Sequence, residues 1–142
     1  MNFDIKFDFQ RRDRLGLIEA IWGQDKSIDQ LERLSENVLS KNEVVFITRI
    51  NSEKANYLLD LYDDARFYEE ANCLTIGKNF NKIITNKKVA IISGGSSDLA
   101  VTLEAQLALE IYGVNCQSFI DVGVAGLHRL MSQLEEINKY DV

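Results

Sequence analysis

"KVAIISGGSSDLA", residues 88–100, decides the fold. Val89 to Ile92 form a continuous apolar run, the pattern of a parallel strand covered on both faces. Gly94 and Gly95 break it, and apolar residues then recur at Leu99, Leu103, Leu107 and Ile111, the spacing of one helical face, until Gly113 stops the helix as a C′ residue. The same order follows at once: "VNCQSFIDVGVAG" (114–126) reads as a second strand with a glycine-lined exit, and "LHRLMSQLEEINKY" (127–140) as the next helix. Strand, glycine turn, helix, twice over, predicts a βαβα unit, the opening of a doubly wound parallel sheet. Such sheets have about four to six strands. Strands from the first part of the chain, from another subunit or from a longer chain are therefore expected to complete it, and the front portion of a longer protein is the reading we favour.

Upstream, "FDIKFDF" (3–9) alternates apolar and charged residues as a strand or an extended arm would. "RRDRLGLIEAIWGQDK" (11–26), interrupted by Gly16 and Gly23, allows at most a short helix. "SIDQLERLSENVLSKN" (27–42) places Gln30 three residues after Ser27, the spacing of a capping box, with Ile28, Leu31, Leu34 and Val38 on one face. "EVVFITRI" (43–50) reads as a buried strand, "SEKANYLLDLYDD" (52–64) as a helix capped by Ser52, and "ARFYEEANCLTIG" (65–77) as extended structure. "NFNKIITNKK" (79–88) reads as the connector. The expected organisation is a small α/β domain over 1–85 followed by the first half of a nucleotide-binding domain over 86–142.

Composition narrows the function. The 142 residues carry a net charge of −6, which disfavours nucleic acid but leaves room for a local anion site. No run of about 18 apolar residues is present to span a bilayer, and the N-terminus lacks a basic then apolar leader, so a cytoplasmic protein is expected. Cys73 and Cys116 lie far apart in apolar segments, with no second cysteine or histidine at metal spacing; they read as buried small hydrophobes, and no metal site is expected.

The chemistry gathers at the two strand exits. Gly94 and Gly95 allow the backbone to approach a ligand, Ser96 or Ser97 can cap the helix, and the helix start can hold phosphate. The stretch is not the G-x-G-x-x-G dinucleotide fingerprint, and a plain turn with Asp98 complementing the helix dipole is the competing reading. Asp121, Gly123, Ala125 and Gly126 line the second exit, beside the first if the crossover is right-handed. His128 and Arg129 then stand on the opening turn of the following helix. A cation there is disfavoured by about 0.3–1 kcal/mol unless something negative lies beside it. Arg129 can hold a phosphate bidentately, whereas His128 at a helix start tends to stay neutral.

These residues resemble the LarB family of nickel-pincer nucleotide biosynthesis. Its D-V-G-V-A-G-L-H-R-L pattern matches Asp121–Leu130 without a gap, and its A-G-T-S-D-x-x-V-x-E-E-A pattern matches at Gly95, Ser97, Asp98, Val101, Glu104 and Ala105. Upstream, Asp8, Arg11, Arg14, Gly16, Glu19, Gly23 and Lys26 match a further family pattern, and "ITR" (47–49) a T-R element.

The resemblance implies a C-terminal domain related to aminoimidazole ribonucleotide carboxylases, hence a PurE-like, flavodoxin-like sheet. It implies an enzyme that carboxylates the pyridinium ring of nicotinic acid adenine dinucleotide at C5 and hydrolyses its phosphoanhydride, giving pyridinium-3,5-biscarboxylic acid mononucleotide and AMP. Carbon dioxide or bicarbonate would be the co-substrate, no cofactor would be covalently bound, and magnesium is compatible with the reaction. Gly94, Gly95, Ser96, Ser97, Asp98, Asp121, Gly123, Ala125, Gly126, His128 and Arg129 are the expected substrate-binding residues. Arg11, Arg14, Glu19 and Arg49 are expected in a lid or a subunit contact, with a charged, solvated face as the plainer reading. The family's attacking cysteine and catalytic glutamate would lie beyond Val142, and neither Cys73 nor Cys116 falls in a family motif. The expectation is thus a substrate-binding portion with no catalytic residue of its own, in a homo-oligomer, with no nucleic-acid or membrane partner. A short non-catalytic nucleotide-binding protein and an aminoimidazole ribonucleotide carboxylase-like enzyme are the alternatives.

Overall fold

The computed structural model describes residues 7–77 and 85–142. The chain divides into two compact units, Met1–Asn79 and Phe80–Val142. The expected strand at Phe3–Phe9 lies outside the described residues as far as Lys6, as does most of the expected connector.

In the first unit the order is α1 (Arg11–Leu15), β1 (Ile21–Trp22), α2 (Ile28–Leu39), β2 (Val45–Thr48), α3 (Ser52–Leu61), β3 (Ala65–Tyr68) and β4 (Cys73–Ile76). The four strands form one sheet in the order β1-β2-β4-β3. β1 runs parallel to β2, whereas β4 is antiparallel to both β2 and β3. Period two explains its core: Val45, Ile47, Leu74 and Ile76 point to one face, where Leu31, Leu34 and Val38 of α2 and Ala55 and Leu58 of α3 meet them. Burying each large aliphatic contributes about 1.5–3 kcal/mol, which dwarfs any single surface pair here. The capping box at α2 is formed as expected, with Gln30 N donating to Ser27 Oγ (3.2 Å) and Ser27 N to Gln30 Oε1 (2.9 Å).

Two local expectations change. The cap of α3 is Asn51, one residue before Ser52: its Oδ1 accepts from Lys54 N at 3.0 Å, so the side-chain acceptor sits where the backbone is still extended. The "ARFYEEANCLTIG" stretch is a hairpin, β3 turning through a 3₁₀ turn into β4, with Asn72 at φ 50°. Asparagine tolerates that left-handed conformation better than most residues.

The second unit is β5 (Lys88–Ile92), α4 (Leu99–Ile111), β6 (Asn115–Phe119) and α5 (Leu127–Ile137). β5 and β6 are parallel, with Val89 opposite Cys116 and Ile91 opposite Ser118. The pleat of β6 sorts its neighbours. Ser118 Oγ donates to Gln106 Oε1 of α4 (2.7 Å), whereas on the alternate residues Tyr140 packs edge-on against Phe119 (5.7 Å between ring centroids) and donates to Gln117 Oε1. α4 and the segment after α5 therefore cover opposite faces, the arrangement of a doubly wound sheet. Beyond α5 the backbone returns to the free edge of β5: Ala90 N donates to Val142 O (2.7 Å) and Val142 N to Lys88 O (3.3 Å), the offset of a parallel ladder. The order across the sheet is thus second strand, first strand, returning segment, which is the start of the flavodoxin-like order.

The expectation that β5 is covered on both faces is not met, for its end residues Lys88 and Ile92 are exposed and the middle three only half-buried. Likewise only Leu107 of the α4 stripe is buried, with Leu99, Leu103 and Ile111 half-buried. Width is the reason: two strands about 4.8 Å apart offer less surface than a helix about 10 Å across requires.

Candidate functional site

In the second unit the two glycine-lined exits are held together by backbone hydrogen bonds. Ser93 N donates to Phe119 O (3.0 Å), Val122 N to Ser93 O (3.1 Å) and Gly123 N to Gly94 O (3.1 Å). The approach is so close that a Cβ on Gly123 would fall onto the carbonyl oxygen of Gly94 and within 3.0 Å of its carbon. Gly123 has an ordinary φ of −67°, so it is glycine here for space and not for conformation.

Each helix start carries its own carboxylate. Asp98 Oδ2 reaches back to accept from Gly95 N at 3.1 Å, closing the 3₁₀ turn that leads into α4. The serine cap expected at Ser96 or Ser97 is not formed: Asp98 precedes α4 without a side-chain cap bond, and both serines are exposed. At α5, Arg129 is the third helical residue, and its Nη1 is ion-paired with Asp121 Oδ2. Asp121 sits at φ 61°, a conformation aspartate adopts more readily than most residues. The Nε–Nη2 edge of the guanidinium abuts Gly126, where an added Cβ would come within 2.9 Å of Cζ and closer still to both nitrogens. The dipole cost of a cation at this helix start is therefore offset by Asp121, within the chain. His128, Ala125 and Val124 are exposed. The two joined exits thus bring together Gly94, Gly95, Asp98, Asp121, Gly123, Gly126 and Arg129. Sequence reasoning missed Ser93: its Oγ is buried with no hydrogen-bond partner at the point where the exits meet. Position, one residue before the glycine pair, was the only signal for it.

The upstream charges separate into two places. Arg14 pairs with Asp8 (Nη2 to Oδ2, 2.6 Å; Nη1 to Oδ1, 3.3 Å), and Asp8 N donates to Glu19 Oε2 (2.6 Å), so Arg14 and Glu19 meet on Asp8. The Nε of Arg11, at the start of the same short helix, is buried without a partner. Arg49 belongs elsewhere: it stands at the end of β2 at φ 52°, with its guanidinium 4.7 Å above the Trp22 ring.

Burial, and secondarily Glu110, push the Cys116 thiol above its ordinary pKa, which makes it a poor nucleophile. Cys73 is wholly buried. Among the described residues no group of three or more histidine, cysteine, aspartate or glutamate side chains is placed to hold a metal ion, and no helix is long and apolar enough to cross a membrane.

Comparison with known proteins bears on this geometry. An uncharacterised protein of Methanocaldococcus jannaschii is 32% identical over 144 aligned positions, covering 97% of this chain. The chain spans 56% of that relative's length. The family model described as the LarB/PurE-like N-terminal domain matches residues 3–78, more than half of the chain. Together with the mixed α/β architecture and its parallel second sheet, that match places the chain in the LarB family, as an N-terminal portion.

Proposed function

We propose that this chain acts in nickel-pincer nucleotide biosynthesis, in a protein that converts nicotinic acid adenine dinucleotide and bicarbonate to pyridinium-3,5-biscarboxylic acid mononucleotide and AMP. The observation that carries the reading is the pair of glycine-lined strand exits, hydrogen-bonded to each other, with Arg129 on the helix start beside them. Strand ends at a switch in order are where open α/β sheets take nucleotides.

In this reading the backbone of Gly94 and Gly95 approaches the diphosphate, the starts of α4 and α5 supply positive potential, and Arg129 supplies a charged fork. Asp98 and Asp121 already hold one donor each, so the substrate phosphate competes with them. A phosphate with greater charge wins that contest only where it reaches Arg129 and the backbone together.

Equilibrium binding of nicotinic acid adenine dinucleotide to the chain tests the reading, with AMP release measured on the whole protein that carries it. Saturable binding, weakened about tenfold or more by Arg129→Gln, is expected. Absence of binding, or of AMP release from the whole protein given dinucleotide and bicarbonate, would sink the assignment.

A further inference from the structure

Arg129, the charged fork assigned above to a substrate phosphate, is already held by a carboxylate of its own chain. Resting on the dinucleotide reading, we propose that Asp121 is an internal stand-in for that phosphate, an autoinhibitory contact that closes the anion subsite until a diphosphate displaces it. Asp121 is then a competitor of the substrate and not a residue that holds it.

Three observations support it. Nη1 of Arg129 is taken by Asp121, while Nε and Nη2 lie against Gly126, so a phosphate that grips the fork bidentately has to move the carboxylate. The carboxylate is delivered by backbone that is itself tied down. Asp121 sits at φ 61°, and the next two residues are bonded across to the first exit, Val122 N to Ser93 O (3.1 Å) and Gly123 N to Gly94 O (3.1 Å). Rotation of the Asp121 side chain alone therefore opens the subsite, and the same rotation closes it again when the ligand leaves. The strength of the contact also suits displacement. The Arg129 and Asp121 side chains are 39% and 48% exposed, so water screens the pair and a ligand can break it. Self-occupancy lowers apparent affinity by the fraction of time the subsite is open; for a pair of this exposure the lowering reaches about fivefold.

The contact sets a charge threshold. An anion no more charged than a carboxylate exchanges one ion pair for an equal one, whereas a diphosphate brings more charge to the same fork. Once Asp121 swings away, the ligand meets the positive end of α5 with no acidic residue in the first turn of that helix to oppose it.

The test titrates the 142-residue chain with inorganic diphosphate by calorimetry, using the NMR signal of the Arg129 Nε–H as a local reporter, and separately with nicotinic acid adenine dinucleotide. Asp121→Asn, which tolerates the left-handed backbone, should tighten diphosphate binding about fivefold, and the gain should vanish when Arg129→Gln is added. Glu135→Gln removes one charge from an exposed side chain later on α5 and should leave the affinity within about twofold, which separates displacement from a general charge effect. Thermal melts check that each variant is folded. Unchanged or weaker diphosphate binding in folded Asp121→Asn, equal tightening in Glu135→Gln, or no diphosphate binding in either form would each overturn the proposal. Diphosphate binding that tightens in Asp121→Asn while the dinucleotide fails to bind would support the contact and overturn the dinucleotide reading.

Discussion

Arg129 on the first turn of α5 is ion-paired with Asp121, eight residues earlier on the exit of β6, and abuts Gly126 between them. The pair turns an unfavourable cation at a helix start into a neutral corner. Both side chains remain about two-fifths to one-half exposed, so the pair is worth no more than about 1 kcal/mol. Asp121→Asn preserves the left-handed backbone and removes only the charge. Urea unfolding of Asp121→Asn, Arg129→Gln and the double variant should give a coupling of about 0.5–1 kcal/mol. Strict additivity would show that the pair does not form in solution.

The joining of the two exits depends on the absence of one carbon atom. Gly123→Ala places a Cβ on the Gly94 carbonyl, which must move and pull the Gly123–Gly94 hydrogen bond apart; a loss of about 1–3 kcal/mol is expected. Gly95→Ala meets only ordinary contacts, Ser97 Oγ at 3.6 Å and Asp98 Oδ2 at 3.9 Å, and should change stability by less than about 0.5 kcal/mol. Denaturant midpoints of the two variants decide the matter, and equal losses would contradict the close approach.

How the chain begins α3 is equally open to measurement. Asn51 supplies the cap, so Asn51→Ala should cost about 1 kcal/mol, while Ser52→Ala should cost a few tenths. The reverse order would restore Ser52 to the role its composition suggested.

These cases show which parts of the structure the sequence revealed. The capping box at Ser27 and Gln30 and the left-handed Gly113 after α4 were legible because their partners lie within three or four residues. So were the parallel pair β5–β6 and the two glycine-lined exits, since period and punctuation are local signals. β1 was not: a two-residue strand has no period, and only its pairing with Ile47 and Thr48 makes it one. The hairpin β3–β4 was seen only as extended structure, because Asn72 shows its left-handed turn only once the strands pair. Arg129 was read as awaiting a phosphate. Its carboxylate partner arrives through the fold of the exit loop, which spacing along the chain does not disclose.

Cys116 gives a prediction in pH. Burial comes first among the causes that raise its thiol pKa, and the Glu110 carboxylate second; both disfavour the thiolate in the folded chain. A group whose folded pKa is raised contributes fully below its unfolded value, about 8.5 for cysteine, and that contribution is lost as pH climbs through the folded value. Stability should therefore fall with rising pH in alkaline solution, and Cys116→Val should flatten that fall while leaving the neutral-pH slope alone. Alkylation offers an independent reading. At pH about 8 iodoacetamide should label Cys116 more slowly than a small free thiol, because less thiolate is present. Cys73, wholly buried with its Sγ directed to the Ala71 carbonyl at 3.2 Å, should react only on unfolding. Rapid labelling of Cys116 in the folded chain would mean a depressed pKa, and would return a thiolate nucleophile to consideration within these residues.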